Sequence, residues 1–434
     1  MLTSRERVLC ALAHEEPDQI PVFFGSTGNT SMLAPGYVRF REYLGVPGEW
    51  NGALLSRVFR YAEIEEPILL RLGSDARPLM PGPPPSVARD VDADTFVDDW
   101  GTIWQLRPGT IYNEVLVPPL RDITVDQIEA YPWPDLGHPS RFAGLRERAE
   151  AIRDRGFAVV AATGASPFET IAMMRGYDAW LLDLVADPEL AHALMSKLTE
   201  VMLAGVTGLL RAVGDVVDIV AMADDLGDEA APLLSPSLYR ALVKPYHARL
   251  IAEMKRLSPA KVFLHSCGDI YALIPDLIDV GVEILNPVQV SAGAMTDTAR
   301  LKREFGAFLT FCGAIDTQWA LPFGSVADVR AEVRRRIADL GPGGGYILAS
   351  VHCIQPDVPP ENVCAMLDEA RASGRYPLAG QCRHSSARGL GLEAEPALAE
   401  ADVARLREHD VVQHLDVEQA SGRDEARSHA DVFG

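Results

Sequence analysis

From about residue 155 the chain repeats one unit: a short β-branched or aromatic run, then small and polar residues, then a longer stretch with helical periodicity. Parallel strands cannot be joined by a tight hairpin, so a repeat of this kind demands helical crossovers and specifies a βα architecture. The strand segments are 157–162, 216–222, 261–264, 283–285, 307–311 and 346–350, with an earlier one at 20–24. The ends of these strands narrow the choice. Polar residues recur at their C-terminal sides: Ser26-Thr27-Gly28-Asn29, Thr163-Gly164, Asp224-Asp225, His265-Ser266-Cys267-Gly268, Asn286-Pro287-Val288-Gln289, Cys312 to Asp316, and His352-Cys353. An open doubly wound sheet concentrates function at one switch point, whereas a barrel assembles its site from loops around a whole face. Polar chemistry spread over six or seven strand ends therefore favours an α/β chain folded as a (β/α)8 TIM barrel. Between strands, Ser235-Pro236 opens a helix that Pro245 should kink or divide.

The repeat stops after Tyr376-Pro377-Leu378. This reading gives a barrel over residues 1–376 and an acidic C-terminal extension over 377–434. Residues 75–135, rich in Pro, Gly and Trp, read as an irregular excursion placed to form part of a lid. The 434 residues carry a net charge of −21, which repels phosphate backbones and anionic headgroups, so neither nucleic acid nor a membrane is an expected partner. No apolar run approaches the ~18 to 20 residues that cross a bilayer. Arg5, Glu6 and Arg7 stand where a signal peptide needs its apolar core, so the expected location is cytoplasmic. The cysteines Cys10, Cys267, Cys312, Cys353, Cys364 and Cys382 are too scattered for a disulfide scaffold, which leaves a ligand or a reactive thiol as the special role for any of them.

The strand reaching Phe263-Leu264 delivers His265 and Cys267 where it is ending, so an imidazole and a thiol can turn toward one centre. That pair suits Zn²⁺, which takes nitrogen and thiolate ligands at ~2.0–2.3 Å in a tetrahedron. The competing reading is a hydrogen-bonded histidine beside an inert cysteine. A third ligand would come from His352 or Cys353, only one of which can face the same point, because neighbours on an extended strand point oppositely. Asp224, Asp225, Asp228 and Glu229 place four carboxylates within six residues, and like charges held together raise at least one pKa unless a cation or donor is near. Asp224 and Asp225 sit at a strand end, so at least one should face the mouth as a catalytic candidate, while Asp228 reads as a loop cap. Asn286 and Gln289 either orient a polar substrate or fix the loop around Pro287. Gly313-Ala314 reads as a tight turn that Asp316 caps.

Several short motifs fall in a fixed order: TSRERVLCAL at 3–12 with PDQIPV at 17–22, DDLG at 224–227, LSP at 234–236 with Leu238-Tyr239, KPYH at 244–247, HSCG at 265–268, GAIDTQ at 313–318 and QPDVPPENV at 355–363. Over residues 1 to about 376 the chain resembles the uroporphyrinogen decarboxylase superfamily, and the resemblance implies a (β/α)8 barrel. It also implies one of two chemistries: decarboxylation without a cofactor, or zinc-dependent methyl transfer linked to a corrinoid protein. True uroporphyrinogen decarboxylases carry an arginine-containing segment after the first strand to hold substrate carboxylates. Here GSTGNTSML occupies 25–33 and the next arginine is Arg39, so uroporphyrinogen is a poor substrate. The methyltransferase branch implies zinc on His265, Cys267 and a distant cysteine. Counting back from Glu361-Asn362-Val363, that position falls on His352, with the cysteine one residue later at Cys353. Three outcomes stay open: His352 ligates, a one-residue shift brings in Cys353, or zinc is lost. Glu229 stands where close relatives show Gln and is a further candidate ligand. The expected function is a methyltransferase moving a methyl group between a small substrate, or methylcobalamin on a corrinoid partner, and a zinc-activated acceptor. The alternatives are a cofactor-independent decarboxylase of a small carboxylic acid, with His352 as proton donor, and a non-catalytic ligand-binding barrel. Self-association into a homo-oligomer stays open.

Overall fold

A computed structural model describes residues 1–378. The acidic extension, Cys382 included, lies outside the described residues apart from Pro377 and Leu378. Seven parallel strands hydrogen-bond in sequence order: Ala76–Leu79, Ala158–Ala165, Ile219–Ala223, Lys261–His265, Ile284–Asn286, Thr310–Ile315 and Tyr346–Ser350. The 20–24 segment closes the ring between the first and the last. The Leu348 N–H donates to Pro21 and the Phe23 N–H to Leu348, while the Asp75 N–H donates to Val22, each at 2.9 Å. The expected (β/α)8 barrel is thereby complete.

Alternation along the strands sorts side chains into two layers. Phe23, Ala76, Ala158, Val160, Ile219, Ala221, Phe263, Ile284, Cys312, Ile347 and Ala349 point inward and form one cluster with Val8 and Leu12. The alanines leave room for the two phenylalanines and for the helix Ser4–Leu12, which plugs the N-terminal end and starts from a Thr3–Glu6 capping box. Two of its arginines bind aspartates that precede barrel strands. Arg5 is 2.9 Å from Asp218, and Arg7 is 2.7 Å from Asp75. Outward residues such as Val159, Val220, Val262, Leu285 and Phe311 pack under the helices.

Four expectations change. Residues 75–135 begin with a barrel strand, Ala76–Leu79, whose Arg77-Pro78 hides the β-branched signature; the Arg77 guanidinium is buried on Glu66 and lies 3.8 Å from the Phe157 ring centroid. The same stretch then forms a four-stranded antiparallel sheet, Arg89–Asp90, Thr95–Val97, Ile103–Gln105 and Glu114–Val117, so it is ordered where irregularity is expected. The strand expected at 307–311 runs Thr310–Ile315, because Gly313 and Ala314 stay in the ladder opposite Leu348 and Ala349 despite positive φ values. The helix Pro188–Val213 is long and apolar enough to cross a membrane, contrary to the expectation that no segment is. Its stripe of Leu190, Leu194, Leu198, Val206, Leu209 and Val213 is buried within the main hydrophobic core, and the helix packs against Lys244–Leu257. Pro245 does divide its helix, at Val243, into Pro236–Leu242 and Lys244–Leu257.

Candidate functional site

His265 is the last residue of its strand and is buried. Its Nδ1 lies 2.5 Å from Asn286 Oδ1, and the Asn286 amide donates in turn to the Cys312 carbonyl at 2.9 Å. That second bond fixes which end of the amide faces His265, so His265 Nδ1 is the donor and Nε2 keeps a free lone pair. Cys267 Sγ is 3.4 Å from this Nε2. The turn that brings it there depends on Gly268, at φ +85°, because a Cβ would lie 2.2 Å from the Gly227 carbonyl carbon. The turn is pinned by Asp225 Oδ1, which accepts from the Cys267 N–H at 2.8 Å, and by Gln289 Oε1, which accepts from the Gly268 N–H at 2.7 Å.

His352 arrives from the opposite side, two residues beyond the strand Tyr346–Ser350, with its ring centroid 5.6 Å from that of His265. One ligand atom from each of His265, Cys267 and His352 lies within 4.8 Å of the others, the sole group of three among the described residues. Tetrahedral zinc with these donors separates its ligands by ~3.3–3.8 Å, so two imidazoles and a thiol in this arrangement fit that ion. Burial and the neighbouring His265 push the His352 pKa down to about 4, which leaves it neutral and able to donate a lone pair at neutral pH. Cys267 is pushed the other way, by burial and then by Asp225 and Glu169, so its thiolate is disfavoured without a cation beside it.

Cys353 is not in the group. Its thiol is buried with Leu33 and Tyr61, 3.6 Å from Tyr112 Oη, and burial raises its pKa to about 12. Glu229 is not in the group either, since its carboxylate accepts from Gln289 at 2.8 Å and Gln318 at 2.6 Å. Asp224 and Asp225 divide. Asp224 is fully buried, with Oδ2 2.7 Å from His247 Nε2, whose Nδ1 is 3.1 Å from Tyr239 Oη, and Oδ1 accepts from the Glu169 N–H at 2.7 Å. Asp225 faces the cluster, 3.7 Å from His265 Nε2. Asp228 caps its own loop through the Ala230 and Ala231 N–H groups, and Asp316 caps the turn through Gln318, Trp319 and Ala320. Asn286 braces the His265 ring and Gln289 the Cys267-Gly268 turn rather than projecting as free donors.

Two residues that the sequence alone does not single out belong here. Glu169, in the first turn of the helix Pro167–Arg175, is buried, and burial together with Asp225 and Asp224 pushes its pKa well up. Tyr61 places its hydroxyl 3.5 Å from His352 Nε2. Only the contacts that the fold creates mark them. A cavity of about 760 Å³ lined by Leu203, Arg211, Arg249 and Glu253 sits on the outer helices and has no part in this centre.

A family model for uroporphyrinogen decarboxylase (URO-D) matches residues 110–373. The chain belongs to the uroporphyrinogen decarboxylase family. Its curated relatives include uroporphyrinogen decarboxylases of Thioalkalivibrio sulfidiphilus, 25% identical over 196 residues, and of Gloeobacter violaceus, 26% identical over 181 residues. These alignments cover 44% and 41% of this chain and 51% and 47% of those proteins, so the chain spans about half the length of the curated relatives it matches. Among solved structures, a methyltransferase from Methanosarcina mazei superposes with a TM-score of 0.58 at 19% identity, covering 86% of this chain and 99% of that one. That likeness is one of fold. Within the URO-D family fold, the cluster occupies the C-terminal ends of the barrel strands, where such barrels carry their chemistry.

Proposed function

We infer that this URO-D family chain is a zinc-dependent methyltransferase, with His265, Cys267 and His352 as the metal ligands. The observation that carries the reading is the convergence of these three donors, with Asn286 holding the His265 tautomer that leaves Nε2 free. A ligating histidine whose other nitrogen is fixed by a hydrogen bond is the common arrangement at zinc sites. Zinc bound here would lower the pKa of a thiol acceptor, so that a thiolate is present at neutral pH to take a methyl group. Asp225 orients the Cys267 turn, and Tyr61 and Tyr112 wall the His352 side. The methyl donor in this reading is a small substrate or a methylated corrinoid carried by a partner protein.

The relatives' activity suggests a second reading, decarboxylation of a small acid with His352 as proton donor. Its neutral imidazole counts against that role, since a pKa of about 4 leaves it unprotonated at pH 7. The deciding measurement is elemental analysis of untagged protein combined with methyl transfer from methylcobalamin to a small thiol. About one zinc per chain and zinc-dependent thioether formation are expected. Protein that holds no zinc after purification in zinc-containing medium overturns the reading.

A further inference from the structure

A second cavity lies toward the same end of the barrel as His265, Cys267 and His352 and shares no lining residue with them. It has a volume of about 350 Å³ and sits where the strand Ala76–Leu79 ends. Its apolar walls include Met80, just past that strand, Leu55 of the short strand Leu54–Ser56, and Leu145, the first residue of the helix Leu145–Asp154. Ligand pockets run from ~300 to 1,000 Å³, so there is room here for one small molecule. Glu63, Arg141 and Arg148 bring charge of both signs to the same walls.

Neighbouring charges on these elements are matched. Glu66 holds Arg77 and Arg155, and Arg146 holds Glu150 and Asp215. The three that line the cavity are not. Among the described residues the Glu63 carboxylate has no hydrogen-bond donor and no ion pair, and the Arg148 guanidinium has no acceptor. The two therefore share one cavity, opposite in charge, without reaching each other. Arg141 is fixed in place by neutral acceptors alone: its Nε donates to the Gly82 carbonyl at 2.9 Å and its Nη1 to the Leu136 carbonyl at 2.6 Å, while the Gly82 N–H donates back to the Arg141 carbonyl at 2.8 Å. No carboxylate pairs with it, so its position is set by the fold and its charge is left for something else.

We propose that this cavity binds a free α-amino acid, with its carboxylate on Arg148 and Arg141, its ammonium on Glu63, and its side chain against Leu55, Met80 and Leu145. A purely anionic ligand sets its charge against Glu63, and a purely cationic one against the two arginines, whereas a zwitterion meets a complementary group at each end. Guanidinium groups suit a carboxylate because they present paired N–H donors, and an ammonium donates to a carboxylate from any of its three hydrogens. An α-amino acid carries both charges and a side chain on a single carbon, which matches two unlike charges and an apolar wall around so small a volume. The proposal is independent of the methyl-transfer reading, because none of the three metal-ligand candidates lines this cavity.

Calorimetric titration of the full-length protein tests it with three probes that share one side chain: L-leucine, L-leucinamide, which keeps only the ammonium, and N-acetyl-L-leucine, which keeps only the carboxylate. Leucine is expected to bind saturably and at least about five-fold more tightly than either derivative. Glu63→Gln is expected to weaken leucine about five-fold without weakening acetylleucine, and Arg148→Gln to weaken leucine about five-fold without weakening leucinamide. That crossed pattern assigns each charge of the ligand to its own residue and separates this cavity from any other place where leucine could bind. The wild-type comparison of the three probes stands even where a variant does not fold. No saturable leucine binding, equal affinity for the three probes, or undiminished leucine affinity in either variant overturns the proposal.

Discussion

The strand Ile219–Ala223 has aspartates at both ends, Asp218 before it and Asp224-Asp225 after it, and the two ends of the barrel treat the same side chain in opposite ways. At the N-terminal end Asp218 receives Arg5 at 2.9 Å and the Val159 N–H at 3.0 Å, and Asp75 receives Arg7 and the Val22 N–H. Each carboxylate there has a guanidinium and a backbone donor. At the C-terminal end Asp224 and Asp225 have a histidine and a backbone N–H group each but no lysine or arginine, and among the described residues the Glu169 carboxylate has no hydrogen-bond donor. The first arrangement closes the plug helix onto the sheet. The second places acidic side chains beside the group formed by His265, Cys267 and His352. Which end of a barrel is for stability and which for chemistry is thus written in how its aspartates are neutralised.

Substitutions at the two ends should separate cleanly. Cys267→Ser is expected to lower zinc affinity roughly a thousand-fold, about a one-third share of a typical structural zinc binding energy, while the urea midpoint of the metal-free protein stays the same. The wild-type protein should also release the Cys267 proton on binding zinc near pH 7, because its thiol pKa is raised, so affinity rises with pH; in Cys267→Ser that dependence is lost, as calorimetry in buffers of different ionisation enthalpy would read. Arg7→Ala leaves the buried Asp75 carboxylate unpaired and should cost about 3 kcal/mol of stability by urea titration, with zinc affinity unchanged. A fall in zinc affinity in Arg7→Ala would show that the ends are coupled. Asn286→Ala frees the His265 ring and should weaken zinc about ten-fold; competition with a chelator measures it. Cys353→Ala should change zinc affinity least, by less than about three-fold, and cobalt-substituted protein should keep its sulfur-to-metal charge-transfer band. Loss of half that band would make Cys353 a ligand.

The barrel is legible in the sequence because its signal is periodic and distributed. Six of the seven ladder strands and the closing 20–24 segment carry β-branched or aromatic runs, and an error in one leaves the repeat intact. Ala76–Leu79 escapes because Arg77 and Pro78 read as a break, and its arginine is tolerable only through Glu66 and Phe157, which lie elsewhere in the sequence. His265 and Cys267 are readable because one strand end carries both. The choice between His352 and Cys353 turns on which way the chain bends after the strand ends at Ser350, and that bend brings His352 to His265 and Cys267 while Cys353 packs with Leu33 and Tyr61. Glu169 is invisible for a different reason. A glutamate in the first turn of a helix is ordinary, and it becomes unusual only when Asp224 and Asp225 arrive from another strand.

Closure of the barrel by the 20–24 segment ties completion of the fold to the last strand of the chain. Val22 finds its neighbour Leu348 only at the far end of the chain, and the plug helix just ahead of it has Ala349 among its cluster partners. Until the ribosome has delivered the last strand, the edge of Ala76–Leu79 has no cylinder to join and the edge of each newest strand is open to other chains. His352, which lies just past that last strand, therefore reaches His265 and Cys267 only after closure, so a metal ion held by all three, as proposed above, would be captured by the finished barrel and not by its nascent intermediates.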